Sequence, residues 1–197
     1  ALSAVASGLS LVDSIRGAHF QSRGLLLALR AGETMRIGRS LAHEAGFLSA
    51  QGKKALPRAW KVIEQARLIA DAEDDTFLDL WCKAVSALTL YFSGKFSKSA
   101  IACERAAEGF SDHTKGHYWE IASMRTFLLL SLRNCGRFQQ LSSLFHSFVR
   151  DARRRSDLFA ETSMTRSVGR FAWLRDDDPE GIHKSLHDAM WTPPEGK

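Results

Sequence analysis

Apolar residues along Leu80–Arg105, LWCKAVSALTLYFSGKFSKSAIACER, recur at helical spacing, stop at Gly94 and resume after Phe96 in an Ala-rich pattern. Phe77, Leu80, Ala84, Leu88 and Tyr91 stand three or four residues apart and so share one helix face. An amphipathic helix, a glycine turn and a second amphipathic helix make a hairpin, and the rest of the chain repeats that unit. Gly52, Gly94 and Gly136 lie 42 residues apart, each followed by a basic residue, Lys53, Lys95 or Arg137. Gly32, Asp74 and Gly116 form a second series with the same step. Continued onward, the two series land at 158 and 178, beside Ser156-Asp157 and Asp176-Asp177-Asp178-Pro179, which read as helix starts. Repetition at this period marks a stacked repeat protein.

Apolar columns follow the step, among them Leu88/Leu130/Ala172, Ala87/Leu129/Phe171, Phe77/Trp119 and Trp60/Ala102/Leu144/Leu186. The pattern predicts a leading helix over 9–31 and four hairpins at 33–72, 75–111, 117–155 and 158–190. Their paired helices are expected at 33–51 and 55–72, 75–93 and 96–111, 117–135 and 138–155, and 158–174 and 179–190. Asp71, Glu73, Asp74 and Asp75 gather where a helix begins and the macrodipole favours anions. Asp178 followed by Pro179 is a start signal, and Arg153-Arg154-Arg155 occupy a predicted last turn, where cations are favoured. No hairpin this thin buries its apolar face alone. Stacking the hairpins gives one continuous core, the logic of an α-solenoid. No composition break divides residues 1–197, which read as one helical repeat domain; Pro193-Pro194-Glu195-Gly196-Lys197 read as a frayed end or linker. With helix-like sequence starting almost at Ala1, the chain is expected to be a fragment of a longer multidomain protein.

Composition narrows the class. Four prolines in 197 residues favour long helices, and 45% hydrophobic with 25% charged residues is ordinary for a globular protein. Uncharged apolar runs such as Phe127–Leu132 fall far short of the ~20 residues that span a bilayer. No signal-peptide pattern opens the chain, and a cytoplasmic location is expected. Cys82, Cys103 and Cys135 are odd in number and form no C-x-x-C pair, so they read as buried reduced thiols. The net charge of +5 steers acidic partners or nucleic acid without deciding between them.

Catalytic chemistry finds little footing. Gly94-Lys95 lacks the rest of a phosphate-binding loop, since Thr89 stands where its first glycine belongs and Phe96 where Ser or Thr belongs. The H-R-D and D-F-G signatures of a kinase are absent. His183 and His187 are four apart on a predicted helix without the Glu of a metalloprotease, and His113 and His117 straddle a turn. No cofactor is expected. Asp176-Asp177-Asp178 are explained by capping. Arg150-Asp151-Ala152-Arg153-Arg154-Arg155 form the best basic patch, though a cluster at a helix end is commonly solvated or paired with carboxylates. Trp60, Trp81 and Trp119 read as packing residues between helices.

Gly94-Lys95-Phe96-Ser97-Lys98-Ser99-Ala100, echoed from Gly136-Arg137-Phe138, resembles the turn of a tetratricopeptide repeat, although the step of 42 exceeds that family's usual 34. Ala28-Leu29-Arg30-Ala31-Gly32-Glu33, Trp119-Glu120, Arg155-Ser156-Asp157-Leu158-Phe159-Ala160 and Asp177-Asp178-Pro179-Glu180 look like the helical-repeat tail of large bacterial serine/threonine protein kinases. That likeness covers residues 28–191. The resemblance implies an all-α, right-handed solenoid of antiparallel hairpins with about nine helices. It further implies a noncatalytic protein-interaction or regulatory module of a bacterial signalling protein, binding a protein, a peptide or a neighbouring domain. The first helix of each hairpin would line the inner face, placing Arg36, Arg39, Lys83, Arg125 and Arg166 there, with Lys83 and Arg125 in one repeat column. The alternative is a nucleic-acid-binding or transcription-regulator-associated helical repeat domain that uses its basic faces.

Overall fold

Left-handed backbone punctuates the chain. Among the described residues, Gly32, Gly52, Asp74, Gly94, Gly116, Gly136, Ser156 and Asp177 have φ between 50° and 92°. Each stands between two helices. The computed structural model describes residues 2–10, 12–113 and 116–188; the expected end of the last helix at 189–190 and the tail at 193–197 lie outside them. Within this span come α1 (Leu2–Leu9), α2 (Ser14–Ala31), α3 (Thr34–Ala50), α4 (Leu56–Glu73), α5 (Thr76–Phe92), α6 (Phe96–His113), α7 (Tyr118–Asn134) and α8 (Phe138–Arg154). There follow α9 (Leu158–Met164), a π-helical turn (Thr165–Gly169), α10 (Arg170–Arg175) and α11 (Pro179–Asp188).

Five helices end the same way. The amide that follows the left-handed residue reaches back five residues: Asp75 to Ala70, Lys95 to Leu90, Arg137 to Leu132, Asp157 to Ala152 and Asp178 to Trp173, all at 2.9–3.0 Å. This Schellman bond satisfies carbonyls the helix would otherwise leave open, and it requires the left-handed residue beside it. Glycine meets that requirement at Gly94 without strain. Acidic side chains then open the next helix. Asp75 accepts the amides of Phe77 and Leu78 at 2.9 and 3.1 Å, Asp157 that of Ala160 at 3.0 Å, and Asp178 that of Gly181 at 2.8 Å.

The leading helix expected over 9–31 divides. Asp13 accepts the Arg16 amide at 3.0 Å and starts α2, while α1 folds back against it. Both ends of α2 stand 42 residues before those of α4, so α2 is the second helix of a further hairpin whose first helix is the short α1. The fixed step also fails late in the chain. From the N-cap His117 to the N-cap Asp157 it is 40 residues, and from the C-cap Cys135 to the C-cap Asp176 it is 41. The last first-helix therefore holds one residue more than α7, and the π turn absorbs it. Ala172 and Phe171 thus answer to Ser131 and Leu130, not to the residues 42 before them.

Consecutive first helices touch one another, α3 on α5, α5 on α7 and α7 on α9, whereas consecutive second helices make at most marginal contact. The stack accordingly curves with its first helices inside. Helix α5 shows the packing logic: Leu78, Cys82 and Val85 join a core with α3 and α4, while Leu80, Ala84 and Ala87 join a larger one running on through α10. Where α3, α4 and α5 converge stands Gly38, whose added Cβ would meet Leu78 Cδ2 at 2.6 Å and Ile69 Cγ2 at 2.8 Å. Buried hydroxyls pin the helices further along. Ser49 on α3 lies 2.7 Å from Thr89 on α5, and Ser131 on α7 donates to Ser99 on α6 at 3.2 Å. Gln21 is 2% exposed and donates to the Ser40 carbonyl at 2.8 Å, tying α2 to α3.

Candidate interaction surface

A ladder of rings crosses the first helices. His43 on α3 lies 4.9 Å from Trp81 on α5, Trp81 lies 6.1 Å from Trp119 on α7, and Trp119 stacks 6.4 Å from Phe159 on α9. Phe77 extends it sideways, 6.4 Å from Trp81 and 4.5 Å from His117. The rings stand at different heights in successive helices, tenth in α3, sixth in α5 and second in α7 and α9, so the ladder runs obliquely across the stack. At the far end Tyr118, Trp119, Arg155, Asp157 and Phe159 enclose a cleft of ≈ 510 Å³. Tyr118 is 56% exposed there, with the Arg155 guanidinium 5.2 Å from its ring centre.

Charge around this ladder is held in pairs. Arg36 binds Glu33 at 2.7 Å along its own helix start, and Lys83 binds Asp79 at 2.7 Å one turn away. Arg39 reaches Asp75 at 3.1 Å and lies 5.5 Å over Phe77. Arg125 reaches Asp151 at 2.8 Å and lies 4.6 Å over Phe148. Arg166 is exposed on the π turn and, among the described residues, has no ion-pair partner. Lys83 and Arg125 hold the same place in α5 and α7, yet one pairs along its helix and the other across to α8. Four of the five cations read from the sequence are thus partnered, and each partner is an acid near a helix end. Three arginines of the basic run are partnered too, Arg154 and Arg155 with Asp151 at 3.6 and 2.9 Å and Arg153 with Glu161 at 2.7 Å.

Protonation follows from these surroundings. Burial pushes the Asp151 carboxyl up, but the Arg125 hydrogen bond and the charges of Arg155, Arg125 and Arg154 outweigh it and hold it below the usual range. Asp75 balances the same way, its desolvation exceeded by the Leu78 and Phe77 amides and Arg39. Burial lowers His43 to about 4, so its imidazole is neutral at ordinary pH. Burial also raises Glu44, against the pull of Arg58. One Glu44 carboxylate oxygen and the Trp81 indole nitrogen are buried without a hydrogen-bond partner among the described residues.

The remaining reactive groups sit in structural places. Cys82 and Cys103 are buried and their thiols are pushed up to about 11, while Cys135 is half-buried. Asp176 accepts from Ser142 at 3.1 Å and pairs with His146 at 3.0 Å. Both groups point at the same carboxylate, so the imidazole is not set to take the serine proton. Among the described residues no group of three His, Cys, Asp or Glu side chains is placed to hold a metal ion. Trp81 and Trp119 pack between helices, but Trp60 is 38% exposed on the outer side. The Tyr118–Phe159 cleft escaped sequence reasoning. Its signal was the apolar pair Leu158-Phe159 directly after a capping Asp, across from Tyr118-Trp119 at the equivalent helix start.

No protein-family model matches the chain, and no curated protein matches it significantly. Among solved structures the chain is similar to a kinesin light chain-like protein of Podosopora anserina, described as nearly identical TPR-like repeats. The TM-score is 0.61 at 11% identity, over 95% of this chain and 91% of that one. A second crystal structure of that protein gives 0.61 at 10% identity, over 95% and 92%. At such identity the likeness is one of fold: the chain is an all-α, TPR-like solenoid of helix hairpins.

Proposed function

We propose that this solenoid is a noncatalytic interaction scaffold whose inner face receives a polypeptide segment from a partner or a neighbouring domain. The observation that carries the reading is the ring ladder from His43 to Phe159, ending in the open Tyr118–Phe159 cleft. Aromatic side chains half-buried between packed helices give contact area with little rotamer entropy to lose. Arg36, Arg39, Lys83, Arg125 and Arg166 rim this face in our reading. An acidic segment would exchange with the carboxylates that hold the first four, while Arg166 is available outright. The setting we propose is a cytoplasmic bacterial signalling protein, with this domain as part of a longer chain. It rests on the resemblance of residues 28–191 to the repeat tail of large serine/threonine kinases.

Peptide display against the folded domain tests the reading. Selected peptides should bind Tyr118→Ala and Phe159→Ala variants about tenfold more weakly, the loss of an aromatic anchor being worth ~1–2 kcal/mol. Selection of no peptide, or of peptides indifferent to both substitutions, would overturn it.

A further inference from the structure

The turns that join first helices to second helices share one edge of the molecule. Helices α3, α5 and α7 run in the same direction, each separated from the next by one antiparallel helix, so Gly52, Gly94 and Gly136 stand side by side. Contacts bridge the second and third turns: Asn134 donates to the Tyr91 hydroxyl at 3.4 Å, and Cys135 Sγ lies 3.4 Å from Ser97 Oγ. Around these three turns the chain carries no Asp or Glu, from 45 to 63, from 80 to 103 and from 121 to 150. The same stretches place Lys53, Lys54, Lys95, Lys98 and Arg137 at exposed positions, with no ion-pair partner among the described residues. Acids collect instead on the opposite edge, where Asp71, Glu73, Asp74, Glu108 and Asp112 are exposed. Four of the five inner-face cations are neutralised locally; the cations of this edge are not.

Apolar surface accompanies the charge. Phe92 and Phe138 are 37% and 40% exposed, and a cleft of ≈ 620 Å³ opens beside Arg137, Phe138, Gln140, Ser143 and Leu144. The rings are already committed to one another, Phe138 stacked on Phe171 at 6.2 Å and Tyr91 edge-on to Phe96 and Phe127 at 5.4 and 5.1 Å. They offer edges and a pocket to side chains rather than open faces to stacked bases. At the fourth turn the sign reverses with Asp176-Asp177-Asp178, which ends the basic run where a phosphate backbone would continue.

We propose that this edge is a second docking surface, for an acidic polypeptide segment that carries apolar side chains. Its carboxylates meet the row of lysines and Arg137, and an apolar residue enters the Phe138–Leu144 cleft. This surface is separate from the inner face and stands or falls without it.

The test uses the full chain and a short fluorescein-labelled peptide of Glu, Asp and Leu, followed by anisotropy at low salt. Binding should weaken about tenfold or more in the combined Lys53→Glu, Lys95→Glu and Arg137→Glu variant, as for loss of several charge contacts. The same charge change made as Arg23→Glu, Arg30→Glu and Arg105→Glu should leave it nearly intact. Phe138→Ala should weaken the Leu-containing peptide and spare a version with Leu replaced by Gly, while Leu68→Ala, at an exposed position on α4 outside both surfaces, should change neither. If the reversal variant loses its helical circular dichroism, Lys53→Gln, Lys95→Gln and Arg137→Gln take its place. Absence of binding, equal loss from both reversals, or tighter binding of a single-stranded oligonucleotide of equal charge would overturn the proposal.

Discussion

His43 is a titratable side chain that desolvation moves far from its ordinary value. Enclosed against Trp81, it holds its neutral form down to about 4, whereas in the unfolded chain it titrates near 6.5. Between those values the unfolded state binds the extra proton, so stability falls as the solution is acidified from 6.5 toward 4. The loss is on the order of 3 kcal/mol from this residue. Asp75, Asp151 and Asp176, all held below their ordinary range, add a further loss at lower pH, because protonation breaks their bonds to arginine, histidine and amides. Urea melts of His43→Phe should therefore show a flatter stability profile between 6.5 and 4 than the parent, with the steeper fall retained below. A second residue points the other way. Ser156 adopts φ 54° at the one second-to-first turn where the chain has neither glycine nor Asp in the left-handed position. Ser156→Gly should raise stability by about 1 kcal/mol in the same melts, relieving a conformation that costs L-residues that much.

At the level of the helix, the π turn at Thr165–Gly169 is a one-residue insertion carried without changing which faces are buried on either side. It frees carbonyls from the regular ladder, and Arg133 approaches that of Ser167 at 3.4 Å while stacking 5.4 Å from Phe171. Deleting the exposed Arg166 should return the segment to a regular helix of α7's length, with a melting temperature near that of the parent. Deleting the equally exposed Lys83 from the regular α5 should rotate everything after it by about 100° and abolish cooperative unfolding. Thermal melts of the two deletions distinguish these outcomes. Such an insertion has no local signature, which is why a fixed step of 42 misplaces Phe171 and Ala172. The division of the leading helix was written in Asp13, a good cap, but the apolar run around Leu9 masked it. The buried column Ser49, Thr89 and Ser131 was hidden for the opposite reason. Hydroxyl residues on an apolar face look like noise until the neighbouring helix supplies the partner. The stacked-hairpin architecture was legible because turn chemistry and helical periodicity agree from unit to unit. The ring ladder was not, since its members hold different heights in successive helices.

Over the whole molecule, burial is greatest in the middle of the stack. Helices α5 and α7 are covered on both sides, whereas α2 leaves Ile15, Leu26, Leu27 and Leu29 more than half exposed. Hydrogen exchange should accordingly protect α5, α6 and α7 most, with α1, α2 and α11 opening first. Uniform protection across all helices, read by mass spectrometry, would contradict a stack held by nearest-neighbour contacts. One further property follows from where those contacts lie. The first helices form a continuous line of touching side chains, and the second helices stand apart along the outside. A structure jointed along its inner seam and open along its back behaves as a spring. It tightens or straightens by small rotations between units, and its grip on an occupant is set by curvature as much as by any single side chain.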